Sequence, residues 1–149
     1  MTLEERLNAD LLDATRKNEP TRKLAIRAVK AAITEAKVAG EQARTLSDQE
    51  VLGIIARQIK QRRDSIAEFE KGGRRDLAAQ EADEIQVLEV YLPPQMDEAA
   101  VRERARAVIA ELGAGGPKDM GPVMKRLSAE LRGLADGQMV NRIVRDLLN

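Results

Sequence analysis

The side chains of this sequence best equipped for chemistry are cationic. Lys118, Lys125, Arg126, Arg132, Arg142 and Arg145 crowd toward the C-terminus, and Arg62, Arg63, Arg74 and Arg75 form a second group near the middle. Lysine offers phosphate a point charge, and arginine offers it a planar fork of donors. Such groups can grip a nucleic-acid backbone without recognising a base. They do not make or break covalent bonds by themselves.

Groups that would do so are scarce. The chain has no Cys and no His. That excludes thiol nucleophiles, Cys/His zinc sites, histidine acid–base chemistry and disulfide stapling. Ser47, Ser65 and Ser128 read as one cap and two surface or helix positions. The run from Gly113 to Gly116 is followed by no Lys-Ser or Lys-Thr pair of a phosphate-cradling loop, and it precedes no strand-to-helix turn. The carboxylates are those of solvated helix faces. No catalytic residue, metal ligand or cofactor site is expected.

Charge limits what the cations can achieve. Lys and Arg number 25, Asp and Glu number 25, and the net charge is zero. Residues 1–92 carry 16 basic against 17 acidic side chains, and residues 93–149 carry 9 against 8. Any nucleic-acid contact must therefore come from a local face. Phe69 and Tyr91 are the only aromatic residues, so single-strand recognition by base stacking is disfavoured and phosphate or shape contacts would have to serve.

The elements that must position these groups all read as helices. Thr2-Leu3-Glu4-Glu5 and Ser47-Asp48-Gln49-Glu50 have the form of capping boxes. Leu3, Leu7, Leu11 and Ala14 give the first helix one face, which ends before Pro20. Thr21 is expected to cap a second helix, whose Ala25, Ala28, Val29, Ala32, Ile33 and Ala36 make a narrow stripe that admits a close neighbour and which closes at Gly40. A third helix runs to about Gly72-Gly73 with Leu52, Ile55, Ile59, Ile66 and Phe69 inward. A fourth carries Leu77, Ile85, Leu88 and Leu92 and stops at Pro93-Pro94, because consecutive prolines cannot continue a helix. Beyond them Asp97 caps a fifth helix bearing Val101, Ala105, Val108, Ile109 and Leu112. Asp119 and Asp136 are expected to cap two short helices with apolar stripes of Met120, Val123, Met124, Leu127 and Leu131, and of Met139, Val140, Ile143, Val144, Leu147 and Leu148. Gly133 falls where the first of these should stop.

The fold class is therefore all-α and multihelical, with an N-terminal four-helix domain over residues 1–92 and a small C-terminal three-helix domain over residues 93–149. No segment alternates as a strand would, none approaches the length of a membrane span, and residues 1–10 lack the apolar core of a signal peptide. A cytoplasmic setting with no membrane partner is expected.

One arginine does not fit a simple solvated face. Arg62 shares a stripe with Ile59 and Ile66, and Glu81 shares one with Leu77, Ile85 and Leu88. If the third and fourth helices fold back about Gly72-Gly73, Arg62 comes within a turn of Glu81 and Glu84, and an interhelical ion pair follows. Such a pair sets register more than it stabilises. Arg74 and Arg75 are expected to stay exposed and to be available to phosphate.

The segment Lys118-Asp119-Met120-Gly121-Pro122-Val123-Met124, followed by Leu131-Arg132-Gly133-Leu134-Ala135-Asp136-Gly137-Gln138-Met139-Val140-Asn141-Arg142, resembles the small C-terminal domain shared by the YqeY family and the tail of the GatB subunit of the tRNA-dependent amidotransferase. Ile26-Arg27-Ala28-Val29-Lys30-Ala31-Ala32-Ile33, Lys60-Gln61-Arg62-Arg63-Asp64-Ser65-Ile66-Ala67-Glu68-Phe69, Gly73-Arg74-Arg75-Asp76-Leu77-Ala78 and Tyr91-Leu92-Pro93 extend the likeness to YqeY proteins over nearly the whole chain. The resemblance implies a larger helical domain followed by a three-helix one. It also implies a role in holding the transfer RNA body, which is what the tail does in the amidotransferase. The family label, carbon-nitrogen ligase activity with glutamine as amido-N-donor, brings no catalytic residue with it, because the kinase and amide-transfer sites of that enzyme lie outside the tail.

Two readings follow. In the first the chain is a tRNA-binding or accessory module that works with tRNA and with a tRNA-modifying or aminoacylation enzyme, using Lys118, Lys125, Arg126, Arg132, Arg142 and Arg145. Lys118 would act beside a helix N-terminus, whose free amides also suit phosphate. In the second, the same helical faces dock on a helical protein and no nucleic acid is involved.

Overall fold

A computed structural model describes all 149 residues. They form seven α-helices, one 3-10 turn and no strand. Their contacts fall into two compact units, Met1–Leu92 and Pro93–Asn149.

In the first unit, α1 spans Leu3–Arg16 and opens on a complete capping box. Thr2 Oγ1 accepts from the Glu5 amide at 3.1 Å, while the Glu5 carboxylate accepts from the Thr2 amide at 3.1 Å. The chain reverses through Asn18, whose φ of 56° lies in the left-handed region that asparagine tolerates better than most residues. Helix α2, Pro20–Lys37, differs from expectation at its start, where Glu19 and not Thr21 is the N-cap residue and makes no side-chain capping bond. Pro20 is the reason: its fixed φ suits the first helical position, so Thr21 already lies inside the first turn.

Helix α3, Asp48–Lys71, begins on a second capping box at Ser47, and α4, Arg75–Glu89, returns after a turn in which Gly73 has φ 73°. The core of this unit joins Leu7, Ile26, Val29, Ile55, Ile59 and Leu88, all essentially inaccessible. Leu52, Ile66 and Phe69, expected inward, are only half-buried, and Val51 is buried instead. Helix α3 has 24 residues and α4 has 15, so the shorter partner cannot cover both ends of the longer one. Phe69 sits beside the glycine turn, where little remains to cover it.

In the second unit, α5, Glu98–Leu112, is capped by Asp97, which accepts from the Ala100 amide at 2.8 Å. It ends at Gly113 in the left-handed conformation, φ 64°. Leu112 is 43% exposed because the helix stops there. After a 3-10 turn, Pro117–Asp119, come α6, Met120–Glu130, and α7, Gly137–Leu148. Asp136 caps α7 by accepting from the Gln138 amide at 3.4 Å. Asp119 stands at the N-cap of α6, as expected, but makes no side-chain capping bond. It already sits in the 3-10 turn, and its carboxylate accepts from the Gly115 amide at 2.8 Å, closing the glycine-rich connector on itself. Val101, Val108, Val123, Leu127 and Ile143 are fully buried at the centre of this unit. Gly133, φ 76°, turns the chain between α6 and α7, and its carbonyl accepts from Gln95 Nε2 at 2.8 Å.

Candidate nucleic-acid interface

The six C-terminal cations singled out from the sequence divide by what already occupies them. Arg126 is engaged: its guanidinium bonds the Glu111 carboxylate, and its Nε donates to Glu130 at 3.2 Å. Glu130 is also held by a two-pronged contact from Arg104, at 2.8 and 2.9 Å. Arg104, Glu111, Arg126 and Glu130 thus form a closed four-residue network across α5 and α6. First the bond from Arg104 and then that from Arg126 lower the Glu130 pKa below its ordinary value. Arg142 pairs with Glu98 at 3.2 Å, and Arg145 donates to Asn141 Oδ1 at 2.8 Å.

The other three, Lys118, Lys125 and Arg132, are exposed. The ion pairs of this unit are made by Arg102, Arg104, Arg126 and Arg142, so these three have no carboxylate partner. Lys125 projects from α6 away from its buried Val123 and Leu127, and Arg132 lies in the turn that follows.

In the first unit Arg62 is where its stripe requires. It is 9% exposed, reaches Glu84 Oε1 at 3.4 Å, and has Glu81 Oε2 at 4.0 Å. Gln58 accepts from it twice, through its side-chain oxygen at 2.7 Å and its carbonyl at 3.1 Å. Burial and the neighbouring Glu84 charge raise the Glu81 pKa, against the pull of Arg62. Arg63 lies 3.8 Å from Glu89. Arg74 is exposed but forked onto Asp76, at 3.2 and 3.1 Å, which lowers the Asp76 pKa. Arg75 is exposed and unpaired, at the rim of an open, alanine-rich groove between α3 and α4 lined by Ile66, Glu70, Ala78, Ala79 and Ala82.

Two arrangements lie outside the sequence-based expectations. The first is a polar cluster around Tyr91, which is 5% exposed. Its hydroxyl bonds the Asp10 carboxylate, the Arg6 guanidinium lies 4.7 Å from its ring centroid, and Arg22 lies 3.7 Å from Asp10 and 2.7 Å from Asp13. Burial, followed by the bond to Asp10, pushes the Tyr91 pKa up. The second is a row on α2 that flanks the stripe of buried Ala25, Ile26, Val29 and Ile33, with Arg27 exposed and Lys23 and Lys30 half-buried. Its spacing of four and then three residues, which sets the three side by side on a helix, is the sequence signal for it.

Fold and charged faces together define an all-helical protein of two units with cationic surfaces, in which no group of three or more acidic side chains is placed to hold a metal ion. The family model described as Yqey-like protein matches residues 4–148, and the chain belongs to the YqeY family. It is similar to proteins named "Altered inheritance of mitochondria protein 41, mitochondrial". The one from Pyrenophora tritici-repentis is 31% identical over 147 residues, covering 96% of this chain and 79% of the relative. The one from Kluyveromyces lactis is 38% identical over 85 residues, or 57% and 45% of the two chains. The one from Lachancea thermotolerans is 30% identical over 113 residues, or 74% and 60%. The match thus spans less than two thirds of the length of the latter two relatives. No helix of this chain is long and apolar enough to cross a membrane.

Proposed function

We propose that this protein is a tRNA-binding or accessory module related to the tRNA-dependent amidotransferase, and that it does not transfer amide groups alone. The trio Lys118, Lys125 and Arg132 carries the reading, because no carboxylate of the protein neutralises them while Arg104, Arg126 and Arg142 are neutralised. A free cation meets phosphate without first giving up a partner, and each such contact releases counterions from the nucleic acid. With so few aromatic side chains, the grip is on backbone and shape. The resemblance of this unit to the GatB tail supplies the choice of tRNA. On this reading the carbon-nitrogen ligase label belongs to the enzyme assisted, the partners are tRNA and a tRNA-modifying or aminoacylation enzyme, and the setting is cytoplasmic. The relatives' names carry the word mitochondrial, and cell fractionation decides the compartment.

The second reading, a protein-interaction module, draws support from the zero net charge and from the closed network that holds Arg126. Fluorescence anisotropy of the full chain with unfractionated tRNA at rising salt separates the two. Phosphate-mediated binding weakens steeply with salt, and absence of any salt-dependent tRNA binding hands the function to the second reading.

A further inference from the structure

Helix α2 is the most basic element of the molecule, with Arg22, Lys23, Arg27, Lys30 and Lys37 against a single acid, Glu35. Its ion pairs are made by Arg22, with Asp10, Asp13 and Glu19, and by Lys37, with Glu4. Lys23, Arg27 and Lys30 have none. The opposite imbalance sits on α4, whose only basic residue is Arg75. Four of its five acids are committed elsewhere, Glu81 and Glu84 to Arg62, Glu89 to Arg63 and Asp76 to Arg74, and the fifth, Asp83, is exposed and pairs with no cation. No ion pair joins the cations of α2 to the helix it packs against.

We infer that the Lys23–Arg27–Lys30 face of α2 is a second phosphate-contact site, which takes the backbone of a double-helical RNA. The positions are four and three residues apart, so at about 1.5 Å rise per residue they make a row of about 10 Å along one side of a rigid helix. Arg27 is exposed and Lys23 and Lys30 are half-buried; long basic side chains at such positions cover apolar surface with their stems and keep their charged heads in water. Thr34, also exposed, continues the row. A membrane surface is the poorer partner. An interfacial helix sinks an apolar face into lipid, and the apolar face of α2 is spent on the core through Ala25, Ile26, Val29 and Ile33. No aromatic side chain stands on α2 to stack a base, so the contact reads backbone only. The choice of RNA over DNA rests on the function proposed above.

The test is a salt titration of full-length protein against unfractionated tRNA and against a plain RNA hairpin. Lys23→Gln, Arg27→Gln and Lys30→Gln combined should weaken binding to both and make the log–log salt slope shallower by about 3. The single Arg27→Gln, at an exposed position that cannot unfold the helix, should account for about 1 of that. Lys60→Gln, Arg63→Gln and Lys71→Gln combined remove the same charge from cations that are already paired on α3 and should change the slope less. Equal flattening by this control, or tighter capture of the parent by anionic phosphatidylserine vesicles than by RNA, overturns the inference. If the α2 variant binds like the parent while neutralising Lys118, Lys125 and Arg132 abolishes binding, the α2 site falls and the proposed function stands. If the α2 variant loses binding and the other does not, the α2 site stands and the C-terminal site falls. A parent that binds neither RNA overturns both.

Discussion

The hydroxyl of Tyr91 bonds the carboxylate of Asp10, a residue 81 positions earlier in the chain, and so fastens the turn after α4 to the middle of α1. Around this bond Arg6 covers the ring and Arg22 holds Asp10 from the other side. Tyr91→Phe keeps the packing and removes one buried hydrogen bond to a charged acceptor. It should cost about 1–2 kcal/mol in a urea melt. Unchanged stability would mean that water or Arg22 satisfies Asp10 equally well.

The Arg62–Glu84 pair is buried on both sides, with side chains 10% and 8% exposed. Removing one partner leaves the other charge stranded in the core. Arg62→Ala or Glu84→Ala should each cost about 3 kcal/mol, whereas a combined Arg62→Met and Glu84→Leu should match or exceed the parent. A double variant as unstable as either single one would contradict this account of the pair.

Pairing and burial of this kind were legible in the sequence where a charge interrupted an apolar stripe. Arg62 interrupts such a stripe opposite Glu81 and Glu84, and capping boxes with 3.6-residue spacing mark the all-helical class. Cap signals are local, and so Thr21 differs in position and Asp119, though at the N-cap, differs in what its carboxylate binds. Pro20 moves one helix start, and the connector draws the Asp119 carboxylate to the Gly115 amide. The Tyr91–Asp10 bond was invisible because it joins residues that only tertiary packing brings together. The division of the C-terminal cations into free and paired groups was invisible too. Arg126 and Lys125 are neighbours in sequence, and only the placement of Glu111 and Glu130 tells them apart.

That division makes a prediction about acid and salt. The Glu130 pKa is lowered in the folded chain, so the stabilisation from its network is complete above the unfolded value of about 4.3 and is lost as pH falls through the folded one. Thermal melts between about pH 6 and pH 3 should show Glu130→Gln less acid-sensitive than the parent, with the difference shrinking at high salt. An identical pH profile for the two proteins would show the network to be inert.

Catalytically the purified chain should be silent. Without Cys or His, and without a recognisable nucleotide loop, glutaminase, ATPase and amidotransferase assays should read at background. Turnover by the homogeneous chain that a point substitution abolishes would reverse this.

On the proposed function, RNA binding rests on Lys118, Lys125 and Arg132 and not on the network-bound Arg126. This claim is tested most directly by comparing the salt dependence of tRNA binding in three full-length proteins: the parent, a variant with Lys118, Lys125 and Arg132 changed to Gln, and the single Arg126→Gln. The account predicts a shallower slope, by about 3, for the triple variant. It predicts an unchanged slope but a lower melting temperature for Arg126→Gln, which breaks the network with Glu111 and Glu130. A triple variant that binds tRNA as the parent does at every salt concentration would contradict the claim.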